Sequence, residues 1–428
     1  MTTSSYPPTE VQNTRPAARR RGAVIAWLPF VLLALLLTFA LAINFTLLWT
    51  IRAEMQVAAD AAALAGAQAL VGDDLLRGDP AALPALLQAS SAQAITYAGN
   101  NLVEGQPFVL LPNPNNLADG DVVFGTLDKP RGSPFVVATN VQDPTNAALA
   151  SINALQVNAW LTSARGNAPG LVLGGLVGIG TLDVHAAAAA MLDRDVIGFR
   201  PLGQQPLKLA PLALFSDPSG MDVRSWQYQV EEKNAPDAYR FDPTSNMFVL
   251  DPAGDGLHEL QAVLALDPSQ IASSNVAVLY LGFSDASGAG QELTNGVTLD
   301  QLQSFGGQLV LEASDNRLAV PGSDVGPASG STDLTALQQG LQQLQMTAEP
   351  LIWPLYCGLN AAGQPVLCGF VAARVVTVTG ISGSQPVFTF SLQPTMISTA
   401  TAVTDASRRG VGGIAVVNPY ICKVRLVE

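Results

Sequence analysis

The stretch that decides the architecture is AVIAWLPFVLLALLLTFALAINFTLLWTI, residues 23–51, 29 residues without a charge between Arg21 and Arg52. A bilayer core of roughly 30 Å needs about 20 apolar residues as a helix, so this run is long enough to cross one with some tilt. Pro29 lies near its start, where a missing amide hydrogen is best tolerated. Trp27 and Trp49 lie near its opposite ends, the places that interfacial aromatics favour. Arg15, Arg19, Arg20 and Arg21 precede the run and Arg52 follows it, so the positive-inside rule predicts a cytoplasmic N-terminus. Ala40-Leu41-Ala42 offers the small-x-small pattern of a signal cleavage site. A signal core, however, has about 7–15 apolar residues, and this run continues well past that site. The anchor is expected to be retained, with the remaining chain outside the cytoplasm.

Working outward, residues 1–22 are polar and basic and read as a disordered tail. On the other side the anchor passes without a breaker into RAEMQVAADAAALAGAQAL, residues 52–70. Alanine is the strongest helix former, and neither Pro nor Gly intervenes before Gly66. Met55, Ala58, Ala59, Ala62 and Ala65 recur at three- and four-residue spacing, giving a stripe of small side chains suited to close helix packing. One helix over residues 23–70 would run roughly 70 Å at 1.5 Å per residue and project from the membrane.

Gly72-Asp73-Asp74 predicts the end of that helix, and two short helices are expected around residues 80–87 and 91–97. Residues 135–139, 154–162 and 181–192 read as strands, the last rich in alanine. Residues 171–179 are apolar and glycine-rich but too short to span again. After Arg200-Pro201 the texture becomes short strands between Asp-Pro, Asn-Gly and Ser-Gly turns, at residues 207–215, 246–250, 276–283, 308–312, 369–379 and 386–392. Residues 321–331 read as a loop, and residues 333–345 as a helix with Leu334, Leu337, Leu341 and Leu344 on one face. The expected fold class is α+β: a long N-terminal transmembrane helix extended outside the membrane, then a β-rich body of two domains. The expected divisions are a tail (1–22), an anchor (23–51), an Ala-rich juxtamembrane helix (52–72), a first extracytoplasmic domain (73–200) and a second β-rich region (201–428).

Charge narrows the function classes. Residues 1–52 carry five Arg against Glu10, a net of +4, which leaves −17 of the total −13 to the remainder. A body with four Lys (Lys129, Lys208, Lys233, Lys423) has no clustered positive charge for phosphates, which excludes nucleic acid as a partner. The basic tail suits anionic lipid headgroups.

The segment opening Arg20-Arg21-Gly22-Ala23-Val24 and continuing through Met55-Gln-Val-Ala-Ala-Asp-Ala-Ala-Ala-Leu-Ala65 resembles the TadG-like proteins of tight-adherence (Tad/Flp) pilus systems. Asn153-Ala-Leu-Gln-Val-Asn158 and Thr181-Leu-Asp-Val-His-Ala-Ala-Ala-Ala-Ala190 look like that family's downstream strands, so the resemblance covers about residues 19–200. It implies an inner-membrane protein with a periplasmic body that aids assembly of a pilus or secretion apparatus. Related pseudopilins carry Glu five residues after the cleavage glycine; here that position is Trp27, so prepilin-peptidase processing is not expected.

Some family members also carry a von Willebrand A domain, which binds Mg²⁺ through Asp-x-Ser-x-Ser after a buried strand. Asp285-Ala-Ser287-Gly-Ala289 follows such a strand but lacks the second serine, and Asp217-Pro-Ser219-Gly-Met221 is a second near miss. Asp251-Pro-Ala-Gly-Asp255-Gly256 resembles the opening of a calcium loop, with Ala253 and Ala262 where oxygen ligands belong. All three read as turns, so no metal and no cofactor is expected. His185 and His258 are the chain's two histidines, read as packed or solvated; Glu231-Glu232 and Asp73-Asp74 read as solvated faces. No Gly-x-Ser-x-Gly or phosphate loop occurs, and Gly174-Gly-Leu-Val-Gly178-Ile-Gly180 lacks the Lys-Ser/Thr ending of one. Cys357 and Cys368 flank a turn and are disulfide candidates in an oxidising compartment, leaving Cys422 odd.

The leading expectation is a membrane-anchored structural or assembly component of a Tad/Flp-type pilus or related surface apparatus, and not an enzyme. Its expected partners are the lipid bilayer and other apparatus proteins, with no small-molecule substrate. The anchor flanks Arg19, Arg20, Arg21 and Arg52 and the packing residues Ala58, Ala59, Ala62 and Ala65 carry that role. The alternatives are an anchored binding or adhesion module and, further off, a tethered hydrolase.

Overall fold

In the computed structural model, residues 23–172, 174, 180–381, 386–411 and 417–427 are described. The chain divides into two compact units, one of Met1–Ala53 with Leu161–Val184, the other of Glu54–Trp160 with His185–Glu428. A long N-terminal apolar helix and a strand-rich body of several sheets make the fold α+β. The basic tail with Arg19, Arg20 and Arg21, and most of the apolar 171–179 stretch, lie outside the described residues.

Helix α1 spans Ala23–Ala69, and Pro29 sits within its second turn without breaking it. A short helix α2, Asp73–Arg77, follows Gly72, and Gly78 at φ 63° closes it in the left-handed conformation. Helix α3 spans Leu83–Gly99 as one element. The two short helices expected here are therefore a single helix: between the two segments no Pro or Gly intervenes, and Ala89, Ser90 and Ser91 carry it through.

The larger unit holds two main sheets. A six-stranded sheet runs in the order Ile397–Ser398, Ile421–Val427, Val184–Asp193, Ala154–Leu161, Val122–Thr126, Val136–Val137. Strand Val184–Asp193 alternates between buried and exposed over its first half, as the period-two pattern requires with one face covered. The second sheet is eight-stranded, ordered Leu260–Ala265, Val387–Pro394, Pro365–Ile381, Leu351–Leu359, Leu212–Phe215, Val276–Leu279, Gly322–Ser323, with Leu318–Ala319 paired beside this path. Its one parallel pair joins Leu212–Phe215 to Leu351–Leu359. Helix α4, Ala289–Asn295, crosses helix α5, Thr332–Thr347, at two glycines. A Cβ on Gly290 would lie 2.5 Å from the Ala336 backbone, and one on Gly340 2.9 Å from the Gly290 carbonyl. Leu334, Leu337, Leu341 and Leu344 of α5 face the core, as their spacing predicts.

A small third sheet, Leu309–Val310, Val196–Phe199, Ala402–Thr404, joins the others. Chain from either side of residue 200 thus shares two sheets, through Val184–Asp193 with Ile421–Val427 and Val196–Phe199 with Ala402–Thr404.

Asp73, just past α1, corrects the reading of Asp73-Asp74 as a solvated pair. Its Oδ2 pairs with Arg374 Nη1 at 2.9 Å, and its Oδ1 accepts from Thr395 Oγ1 at 2.7 Å and the Met396 amide at 3.2 Å. Both partners of the ion pair are about six-sevenths covered, at 13% and 15% exposure, whereas Asp74 is 49% exposed. Removing one partner of such a pair strands the other charge. We expect Asp73→Ala to cost about 3 kcal/mol in urea unfolding of the full chain, and Asp74→Ala less than about 1 kcal/mol. Equal effects would show that the Asp73–Arg374 pair contributes no more than an exposed one.

Candidate membrane anchor and helix-packing site

From Trp27 onward the apolar part of α1 is long and apolar enough to cross a bilayer. Its side chains stand out from the fold: Trp27 is 68% exposed, Phe39 63% and Leu41 74%. Its threonines are satisfied within the helix, Thr38, Thr46 and Thr50 donating to the carbonyls of Ala34, Ala42 and Thr46 at 2.8–3.0 Å. A helix that closes its own polar groups in this way can face hydrocarbon. Arg52 is exposed where the apolar run ends.

Beyond Arg52 the same helix changes character. Ala58, Ala59 and Ala62 are fully buried, and Ala65 is half-buried. Fully buried Met55, Ala63 and Ala67 extend the covered surface. The stripe is packed within the chain's own body. The Ser90 hydroxyl of α3 donates to the Gly66 carbonyl at 2.7 Å, and a Cβ on Gly66 would meet Leu155 Cδ1 at 2.7 Å and Ala94 Cβ at 3.1 Å. Small side chains at this face allow that approach of backbone to backbone. On the flank of the helix, Gln56 donates to Asp60 and to the Ala187 carbonyl, and Glu54 accepts from the Glu104 amide at 2.9 Å. Sequence reading noted Gly66 only as the first possible break in the helix; its signal as a packing position was a lone glycine within an alanine-rich stretch.

The acidic motifs are consumed locally. Asp285 caps a short turn by accepting from the Ser287 amide at 3.0 Å, and Ser287 lowers its carboxyl's pKa. Asp217 accepts from the Ser219 hydroxyl and from the Ser219, Met221 and Asp222 amides, which hold it below the usual carboxylate range. Asp255 is occupied by Arg77 at 3.0 Å, and burial raises its pKa. Among the described residues no group of three or more His, Cys, Asp or Glu converges as a metal site. His185 stacks on Trp160 with ring centroids 4.0 Å apart. His258 is half-buried with Nδ1 2.6 Å from the Ala235 carbonyl, a correction to its reading as solvated, because the turn before it folds back on residue 235. Glu231 is exposed, in keeping with its reading as a solvated face, with its carboxylate turned toward Tyr420. The Tyr420 hydroxyl donates to it at 3.3 Å, and desolvation of the carboxylate there raises its pKa. It borders a cavity of about 240 Å³ whose polar lining includes Ser216, Gln227, Asn418 and Tyr420, bonded within the chain, and Asn316, whose Oδ1 has no bonding partner.

Cys357 and Cys368 are thiols on adjacent strands, next to the paired residues Tyr356 and Leu367. The Cys368 thiol bonds to Cys357, drawing the Cys357 pKa down while that of Cys368 rises. Cys422 is fully buried, which pushes its thiol up to about 12.

Glu292 on α4 is 3% exposed, its Oε1 accepting from Gln301 Nε2 at 2.7 Å and its Oε2 without a bonding partner. Burial pushes its carboxyl up to about 8. The fold therefore favours the neutral acid. That contribution to stability is full below the ordinary carboxylate range and is lost as pH rises through about 8. Glu292→Gln keeps the neutral form at every pH. It should match the wild-type melting temperature near about pH 5 and exceed it near about pH 9; parallel pH profiles would refute a buried neutral Glu292.

Neither a curated protein nor a solved structure matches the chain. The family model that does match is Tad, described as Flp pilus-assembly TadE/G-like, over residues 22–69, which takes in the apolar run and the buried alanine stripe of α1. Residues 22–69 are therefore similar to the TadE/G-like segment of Tad/Flp pilus-assembly proteins.

Proposed function

We propose that this chain is a structural or assembly component of a Tad/Flp-type pilus or a related surface apparatus, anchored in the inner membrane. The observation that carries it is the TadE/G-like match over residues 22–69, on a helix whose first part is apolar and exposed and whose second part is built into the body. The arginines at 15, 19, 20 and 21 against Arg52 favour a cytoplasmic tail and an extracytoplasmic body. Such a component acts through protein contacts. The expected divisions at residues 22, 51, 72 and 200 belong to this reading as functional regions.

Crosslinking in intact cells, followed by purification of the full-length protein and mass spectrometry, tests the role. Recovery of a secretion ATPase, a platform membrane protein or a pilin is the expected outcome. Recovery of outer-surface or matrix proteins alone would replace the assembly role with an adhesive one.

An extracytoplasmic body also predicts that Cys357 and Cys368 are joined in the cell by exchange with an oxidised dithiol donor, each thiol losing a proton and the donor's disulfide being reduced. Closing so short a loop contributes about 2–3 kcal/mol. Peptide mapping without reduction should find the 357–368 link in protein from the cell envelope. Two free thiols there would count against the compartment assigned to the body.

A further inference from the structure

Within the N-terminal unit, residues 161–172 and 180–184 run as the two paired arms of a hairpin. Gly170 and Thr181 form an antiparallel bridge, the Leu171 amide donates to the Gly180 carbonyl at 3.0 Å, and the Leu182 amide to the Pro169 carbonyl at 3.3 Å. At its base Asp183 accepts from the amide and hydroxyl of Ser163, at 2.8 and 2.9 Å. Between Arg165 and Asp183 the sequence carries no charge. Among the described residues, the arm 161–172 is bonded to the anchor at Asn44. Asn44 Oδ1 accepts from the Val172 amide at 2.7 Å, and Asn44 Nδ2 donates to the Val172 carbonyl at 2.9 Å.

Asn44 is the sole amide side chain in the uncharged run 23–51. An unpaired amide in hydrocarbon costs several kcal/mol, and unlike the threonines it does not close on its own helix. Its two bonds saturate Val172, whose backbone would otherwise be as costly at that depth. The coverage of the helix agrees. Ala40 is 7% exposed between Phe39 at 63% and Leu41 at 74%, and Asn44, Leu47 and Leu48 on the same stripe are half-buried. At 1.5 Å per residue Asn44 lies about 12 Å, and Ala40 about 18 Å, below Arg52 along the helix. A bilayer ending at Asn44 would leave Phe45 and Trp49, 63% and 64% exposed, in water.

We propose that these two arms, residues 161–172 and 180–184, dip into the half of the bilayer on the Arg52 side, held there by Asn44, so that the chain meets lipid at two separate segments. This rests on the reading of residues 23–51 as a membrane span. Arg165 and Asp183 would stay at the interface, with Val172, 44% exposed, turned to the acyl chains.

A diazirine-bearing amino acid placed at Val172 tests this in the full-length protein, reconstituted in phosphatidylethanolamine–phosphatidylglycerol vesicles. The same probe is placed at Leu37 of the anchor and at Leu250, exposed in the body. Phospholipid adducts at Val172 should come within about threefold of those at Leu37, and Leu250 should give at least about ten times fewer. Labelling at Leu37 with none at Val172 overturns the dip and leaves the anchor standing; no labelling at Leu37 overturns both. Asn44→Leu should speed amide exchange at Val172 at least about tenfold while leaving Val157 and Leu192 in the body unchanged. Unaltered exchange at Val172 would show that Asn44 does not hold the hairpin.

Discussion

Close approach of backbone to backbone along the second half of α1 is the constraint on which the body is built. Alanine buries little area, roughly 0.8 kcal/mol for each methyl-sized group, so the stripe does not act mainly through its own hydrophobicity. It acts by absence of bulk. With nothing larger than a methyl at residues 58, 59, 62, 63 and 67, and nothing at all at Gly66, α3 can bring Ser90 to a helix carbonyl, and Leu155 can lie on the helix surface. Leu155 belongs to the six-stranded sheet, and Asp73, just past the helix, is bonded to Arg374 and Thr395 near the paired ends of two strands of the eight-stranded sheet. The same short stretch of chain is thereby fixed to both sheets.

What the sequence made legible followed from strong, local patterns. The charge-free run and the alanine spacing give α1, and the leucines of residues 334–344 give α5, because helix periodicity needs only neighbours in sequence. Ala154–Leu161 was readable from alternation and Val184–Asp193 as an alanine-rich strand, and each has one face more covered than the other. Strands Leu260–Ala265, Leu351–Leu359 and Ile421–Val427 were not foreseen. The second contains Pro354, which normally argues against an inner strand, yet it pairs along its length with Pro365–Ile381. The third carries Lys423 and Arg425, whose charges interrupt a strand pattern and whose partners, the Ala402 carbonyl and Asp193, come from elsewhere in the chain.

The candidate site divides in the same way. The anchor was plain, and so was the stripe, but what covers the stripe was not, because that depends on α3 and Leu155. Acids show the limit most clearly. Asp217, Asp285 and Asp255 share a composition that suits metal loops and turns equally, and only the placement of Ser219, Ser287 and Arg77 decides between them. Asn44 was open to notice as the one amide in an apolar run, but its partner lies 128 residues away.

That dependence on distant partners bears on how the body comes together. The strand Val184–Asp193 has Ala154–Leu161 on one side and, on the other, Ile421–Val427, which is made long after it. The short sheet around Val196–Phe199 likewise waits for Ala402–Thr404. Loop-closure entropy grows only slowly with length, so these distant pairings cost little in final stability, but they delay closure. Until the C-terminal strand arrives, Val184–Asp193 presents an unpaired edge of small and apolar residues, the kind that pairs readily with any passing strand. Asp193 and Asp195 oppose that: they are carboxylates whose cationic partners, Arg425 and Arg409, also come from the C-terminal part. Before those arginines dock, two uncompensated charges stand at the end of the open edge and disfavour a foreign strand; afterwards the same charges lock the native one in place.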